Sequence, residues 1–303
     1  MTFRGWPSAA RRLSGAACCL LPALAFADSF QLTAQNDSGF GTDRGYTSGV
    51  RLSHLGETRV PDAPRWELGI VQQIFTPDTK VDPQARTGRP YAGRLLLFGA
   101  RHAGGDGRLD TLEASAGVTG PSALGEEAQD FFHRFISSPA TDWSNQLHDR
   151  FDGSVGATAT RRLVVSDTMP LALAGHAGAS LGTVASHVHA GAEIRWGAAG
   201  APYSEALRLA STPVTNAGKA LGFAAFAGAS VRGVLRNRLL VRNAGDPGAD
   251  LDREDAVARY AAGASWSAAW GTTSFALVQE SHELARQPYT MRFWSLSFAL
   301  PLD

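Results

Sequence analysis

Cysteine is almost missing: the chain has two, Cys18 and Cys19, both close to the N-terminus. From residue 28 onward there is no thiol, which excludes disulfide staples, zinc thiolates and a cysteine nucleophile. Also lacking beyond residue 27 is any apolar run long enough to cross a bilayer as a helix, which takes roughly 20 residues. Residence in a membrane would therefore require strands. Nor is there a basic excess. The first 27 residues carry Arg4, Arg11 and Arg12 and no acid, so 25 basic residues face 28 acidic ones beyond them, a balance of −3 with histidine neutral. That balance gives no reason to expect nucleic acid as a partner. The sequence has no Gly-x-Ser-x-Gly nucleophile elbow, and no Ser/His/Asp arrangement stands out.

What is present begins with an export signal. Three arginines precede an apolar stretch at 15–24, and the segment closes on Ala25-Phe26-Ala27, the small-x-small pattern of a cleavage site. The stretch is too short for a membrane anchor. Gly15-Ala16-Ala17 ahead of Cys18 lacks the leucine of a lipoprotein signal. Residues 1–27 are thus expected to be a signal peptide. Residues 28–303 would be the exported domain, 276 residues (303 less 27).

Much of that domain alternates with a period of two. Val188, Ala190, Ala192, Ile194 and Trp196 interleave with His187, His189, Gly191, Glu193 and Arg195. The pattern recurs from Ala256 to Ala268 and again at Trp294, Leu296, Phe298 and Leu300. Such dyads put one face in lipid or a core and the other in a polar interior. Strands are predicted at 29–36, 46–55, 65–75, 90–101, 107–118, 149–164, 168–182, 184–197, 219–232, 254–269, 271–283 and 288–300. Their even number suits a bacterial outer-membrane barrel. A β-sandwich also alternates, but the export signal and the Ala/Gly-rich strands favour the barrel. So do the aromatics near strand ends (Trp66, Tyr91, Trp196, Tyr260, Trp270, Trp294). One departure is that the chain runs past Phe298 to Pro301-Leu302-Asp303. The predicted fold is all-β: a twelve-stranded antiparallel transmembrane β-barrel with a short helix in an extracellular loop.

The helix is predicted over 123–136, with Ser122 as N-cap and Glu126 and Glu127 favouring the first turn. Gln129 and His133 share one of its faces, while Leu124, Phe131, Phe132 and Phe135 offer apolar surface to the barrel wall or to lipid. A second unusual stretch is Asn36-Asp37-Ser38-Gly39, leading through Thr42-Asp43-Arg44 to Tyr46-Thr47-Ser48-Gly49. Its oxygens could hold a hard cation such as calcium, but with no EF-hand or other loop motif present, spacing alone favours an Asn/Asp/Gly-rich hairpin loop. His187-x-His189 is expected to line the lumen rather than to hold a metal.

Asn36-Asp37 with Thr42-Asp43-Arg44-Gly45-Tyr46-Thr47-Ser48-Gly49 resembles the lipid A 3′-O-deacylase family of outer-membrane enzymes. The resemblance continues in Gln72-Gln73-Ile74-Phe75-Thr76-Pro77, Arg89-Pro90-Tyr91-Ala92-Gly93 and Gly117-Val118-Thr119-Gly120-Pro121. It extends to Gln129-x-x-x-His133-Arg134 and Asp142-Trp143-x-x-Gln146-Leu147. It implies a calcium-dependent ester hydrolase acting on lipopolysaccharide, with a site between barrel wall and loop helix. His133 would be its general base and Gln129 an orienting residue. Asp37 would bind Ca2+, with Asn36 and Thr47 lining the site. Gly88 stands where many members carry aspartate, and Ser137-Ser138-Pro139-Ala140 offers no acid after the helix. Lys80, Arg86, Arg89 and Arg94 are candidates to meet lipid A phosphates. The partners expected are lipid A and outer-membrane lipid, no nucleic acid, and the protein is expected to act as a monomer. The alternatives are a non-catalytic porin or structural barrel, and a barrel phospholipase with a serine nucleophile.

Overall fold

The computed structural model describes residues 27–40, 44–56, 63–78, 89–105, 107–136, 141–165, 170–197, 221–240 and 251–302. Of the expected signal segment 1–27, residues 1–26 lie outside them, as do Thr42, Asp43, Lys80, Arg86, Gly88 and residues 137–140. Twelve antiparallel strands follow one another around a closed barrel. They are β1 (Ala27–Asn36), β2 (Gly45–Gly56), β3 (Arg65–Thr76), β4 (Ala92–Gly105), β5 (Arg108–Thr119) and β6 (Arg150–Val165). The second half holds β7 (Leu171–Gly182), β8 (Ala185–Gly197), β9 (Gly222–Asn237), β10 (Ala256–Ala268), β11 (Gly271–Glu280) and β12 (Met291–Pro301). Every predicted strand is present. Closure comes from pairing β1 with β12, in a register that runs from Ser29 opposite Pro301 to Asn36 opposite Trp294.

Alternation sorts the side chains as the dyads require. Leu52, Leu68, Leu97, Leu112, Val155 and Ile194 are exposed on the outer face. The opposite parity fills the lumen with polar groups in mutual contact. Glu67 accepts from the Arg51 guanidinium at 3.1 Å and lies 3.0 Å from His102 Nε2. Thr111 bonds the other ring nitrogen of His102 at 3.0 Å. The Arg51 guanidinium also stacks over Phe98 at 3.5 Å. Phe75 of β3 and Phe226 of β9 belong to one buried apolar cluster in the lumen with Tyr46 and Phe293. An open pore is not what these residues build. His187 and His189 line the lumen as expected and His176 joins their row, with ring centroids 5.6–5.8 Å apart along it.

The helix, α1, spans Gly125–Ile136 in the connection between β5 and β6. Its start differs from expectation. A 3-10 turn at Pro121–Ala123 comes first, then Leu124 with φ 56° in the left-handed region. The Leu124 carbonyl accepts the first helical bond, from the Ala128 N–H at 3.1 Å. Ser122 therefore does not cap α1. Its hydroxyl donates to Asp149 Oδ2 (2.6 Å) and its N–H donates to Asp149 Oδ1 (2.8 Å), which ties the two feet of the connection together.

Removing Glu67 leaves Arg51 and His102 buried without their shared carboxylate. Glu67→Ala is expected to cost about 3–5 kcal/mol. The readout is heat-modifiable gel migration, with the folded band of the variant lost at a lower temperature than that of the wild type.

Candidate active site on the outer wall

At the rim away from the termini, the outward-facing positions turn polar. On β1, Gln31, Thr33 and Gln35 take the lumenal parity, so Asn36 faces outward at the strand's last position. Its Oδ1 accepts the Ser38 N–H at 2.6 Å, which fixes the exit from the strand. Asp37 follows, with its N–H on the Thr47 carbonyl (3.0 Å) and its Oδ2 accepting the Arg44 N–H (3.0 Å). The β2–β3 register slips between Tyr46 and Ser48, so Thr47 is the extra residue of a bulge. Its hydroxyl meets the Thr76 hydroxyl at 2.6 Å. Asn36, Asp37 and Thr47 thus form one buried corner, and Thr76 ties it to β3.

Beside that corner sits α1, also on the outer face. Outward-facing Gln72 of β3 donates through Nε2 to the carbonyls of Ala123 (2.8 Å) and Leu124 (3.1 Å). Helix and wall then meet glycine to glycine, since a Cβ on Gly93 of β4 would come within 3.1 Å of the Gly125 Cα. Trp143, on the chain returning to β6, slides beneath the first turn. Its ring packs 4.8 Å from Tyr91 and joins Ile74 in one buried cluster, with Ala128 against it. Its indole N–H donates to Gln129 Oε1 at 2.9 Å. Because indole can only donate, the amide of Gln129 is oriented with its oxygen toward Trp143.

Gly125, Gln129 and His133 recur every four residues, and all three are buried. They are the wall-facing stripe of α1. The structure therefore places the two groups expected from sequence on the same side of the same rim. Asn36, Asp37 and Thr47 lie at β1–β2, Gln129 and His133 on a helix packed against β3 and β4, and β3 contributes to both. The donors of the Asp37 corner are hard oxygens, as a calcium site needs. Among the described residues, no cluster of three or more His, Cys, Asp or Glu is disposed to hold a metal.

Two candidate phosphate contacts are corrected. Arg94 faces the lumen, where it pairs with Asp152 (2.7 Å) and Gln73 (3.0 Å). Arg89 is buried against Glu283 at 3.0 Å and over the Phe75 ring at 4.9 Å. Neither side chain is presented on the outer wall. Tyr91 likewise belongs to no aromatic girdle, because Trp143 covers it. Sequence reasoning passed over Gln72, Thr76 and Trp143 as site residues. Gln72 carried a signal: it is polar in an outward row otherwise made of Trp66, Leu68, Ile70 and Ile74.

The family model described as "Outer membrane protein LpxR" matches residues 13–302. Among solved structures the chain is similar to LpxR from Salmonella typhimurium, at 20% identity and a TM-score of 0.77, covering 90% of this chain and 99% of that one. A weaker likeness is to the translocator domain of the autotransporter NalP from Neisseria meningitidis. That match has 12% identity and a TM-score of 0.43, covering 94% of this chain and 93% of that one. No curated protein matches the chain.

Trp143→Phe keeps the ring but leaves the buried Gln129 oxygen without its indole donor, a loss of about 1–3 kcal/mol. Amide hydrogen exchange in 125–136 is expected to accelerate, with the barrel strands unchanged. Equal protection of the helix in both proteins would mean that this bond does not hold it down.

Proposed function

The chain belongs to the LpxR family of outer-membrane proteins, and from that membership we propose that it removes the 3′-linked acyloxyacyl group of lipid A by ester hydrolysis. The observation that carries the reading is the wall-facing Gln129–His133 stripe. It lies outside the barrel, beside the Asp37 corner, where a membrane lipid can arrive sideways without entering the lumen. A twelve-residue helix is about 18 Å long, and adjacent strands lie about 4.8 Å apart. One helix of this length is therefore sufficient to span the strands that carry the remaining candidates. The filled lumen counts against the porin alternative.

In this reading His133 is the general base, since imidazole titrates near neutral pH and can both take and return a proton. It takes a proton from water as the water oxygen adds to the ester carbonyl carbon. Collapse of the tetrahedral intermediate breaks the bond to the sugar 3′ oxygen, and that oxygen receives the proton back from His133. The products are the free acyloxyacyl acid and a 3′-hydroxyl. Gln129, oriented by Trp143, positions the groups around His133, while Asn36 and Thr47 line the opposite side. Asp37, with neighbouring amide, hydroxyl and carbonyl oxygens, would hold the calcium ion. When bound, calcium supplies positive charge for the carbonyl oxygen as it becomes an oxyanion.

Loss of a general base typically costs about 10²–10⁴-fold in rate. His133→Ala is expected to lose at least that much in lipid A deacylation, scored by mass spectrometry, and to keep heat-modifiable migration. Gln129→Ala should lose less. Wild-type turnover in the His133 variant would return the helix to a bracing role.

The calcium assignment has its own test. Excess chelator should stop hydrolysis by purified protein, and added calcium should restore it. Asp37→Asn keeps the shape of the side chain and removes a charge, so it should raise the calcium needed for half-activity. Full activity in chelator, with Asp37→Asn indistinguishable from wild type, would take calcium out of the mechanism.

A further inference from the structure

Turned about its axis, α1 has three faces of different chemistry. The stripe of Gly125, Gln129 and His133 faces the wall. At 3.6 residues per turn, Glu126, Glu127, Asp130 and Arg134 occupy one flank, and Ala128, Phe131 and Phe132 the other. Phe131 is 63% exposed and Phe132 41%, and Leu124, just ahead of the helix, is 50% exposed. Two aromatic side chains this open on one flank of a surface helix mark a face built to meet something apolar.

The height at which the helix is seated identifies the partner. Gln72, which holds its N-terminus, pairs in register with outward-facing Leu95, and the same row continues through Val118 to Phe151. One outward step lower, about 7 Å along the strand, Ile70 stands opposite Leu97, which is 65% exposed on the lipid-facing belt. The N-terminus of the helix is therefore seated one outward step above the apolar belt of the barrel. With the stripe against the wall, one flank must turn toward that belt. Placing Glu126, Asp130 and Arg134 there would put charge into hydrocarbon, at a cost far above that of leaving it in water. Placing Phe131 and Phe132 there extends the belt upward without a break.

We propose that α1 is an interfacial helix whose Phe131–Phe132 flank is seated among the lipid acyl chains of the outer leaflet, with its charged flank at the headgroups. The wall-facing stripe is thereby held at the boundary between headgroup and chain. The inference does not use the chemistry proposed for His133, so a lipid-seated flank in an inactive protein, or the reverse, tells the two apart.

The sequence makes the test direct, because Cys18 and Cys19 are the sole cysteines. In a chain carrying Cys18→Ser and Cys19→Ser, one spin label is attached at Phe131→Cys, Phe132→Cys, Arg134→Cys or Leu97→Cys. Each protein is reconstituted in vesicles of lipopolysaccharide and phosphatidylethanolamine, and barrel folding is checked by heat-modifiable migration. Collision with oxygen, which concentrates in hydrocarbon, is compared with collision with a water-soluble nickel chelate. Labels at 131 and 132 are expected to favour oxygen, as the belt label at 97 does, and the label at 134 to favour the chelate. The proposal is overturned if 131 and 132 read as aqueous. It is overturned equally if they are shielded from both agents, which would mean that protein covers the flank, or if 134 reads as lipid.

Discussion

A strand in hydrocarbon has no water to satisfy its backbone, so every N–H and C=O must find a partner within the protein. Pairing of β1 with β12 meets that demand by leaving no edge. Once the sheet is closed, each residue's parity decides whether it meets lipid or lumen, and the sequence has to supply two chemistries in alternation. Apolar side chains cover one face. On the other, carboxylates, guanidinium groups and imidazoles neutralise one another, as in the Glu67, Arg51 and His102 group.

The site departs from that rule at one place. Asn36, Gln72 and Thr76 are polar yet stand on the outer parity, Asn36 and Thr76 at the last position of their strands and Gln72 between Ile70 and Ile74. Each gains a partner through local geometry. The Asx turn at Ser38 occupies Asn36, the Thr47 bulge brings a hydroxyl to Thr76, and Gln72 donates to the carbonyls of Ala123 and Leu124 just ahead of α1. The polar wall and the helix therefore require each other. Without α1 the amide of Gln72 would face lipid, and without Gln72 and Gly93 the helix would have no seat.

What the sequence made legible was what is local and periodic. Period-two alternation located all twelve strands, and the run 123–136 read as a helix, because the spacing that defines each lies within a few residues. The Asn36–Asp37 and Gln129–His133 pairs stood out as strand-end and helix-face groupings, and family resemblance joined them. Contacts between residues distant in the chain were not legible. Ser122 has the chemistry of an N-cap, but its partner is Asp149, and the left-handed Leu124 between turn and helix has no sequence signature. Arg89 and Arg94 looked available to an anionic lipid until Glu283 and Asp152 were brought beside them. Trp143 acts on Gln129 only because the chain doubles back under the helix.

The filled lumen has a consequence for the cell. An outer membrane is a permeability barrier, and each open channel added to it lets small solutes and antibiotics through. Here Phe75 and Phe226 belong to one buried apolar cluster, and paired, buried charges occupy the interior. Many copies can therefore reside in that membrane without raising its conductance. The scaffold brings a lipid-facing surface to the leaflet and adds no leak to the barrier that the leaflet maintains.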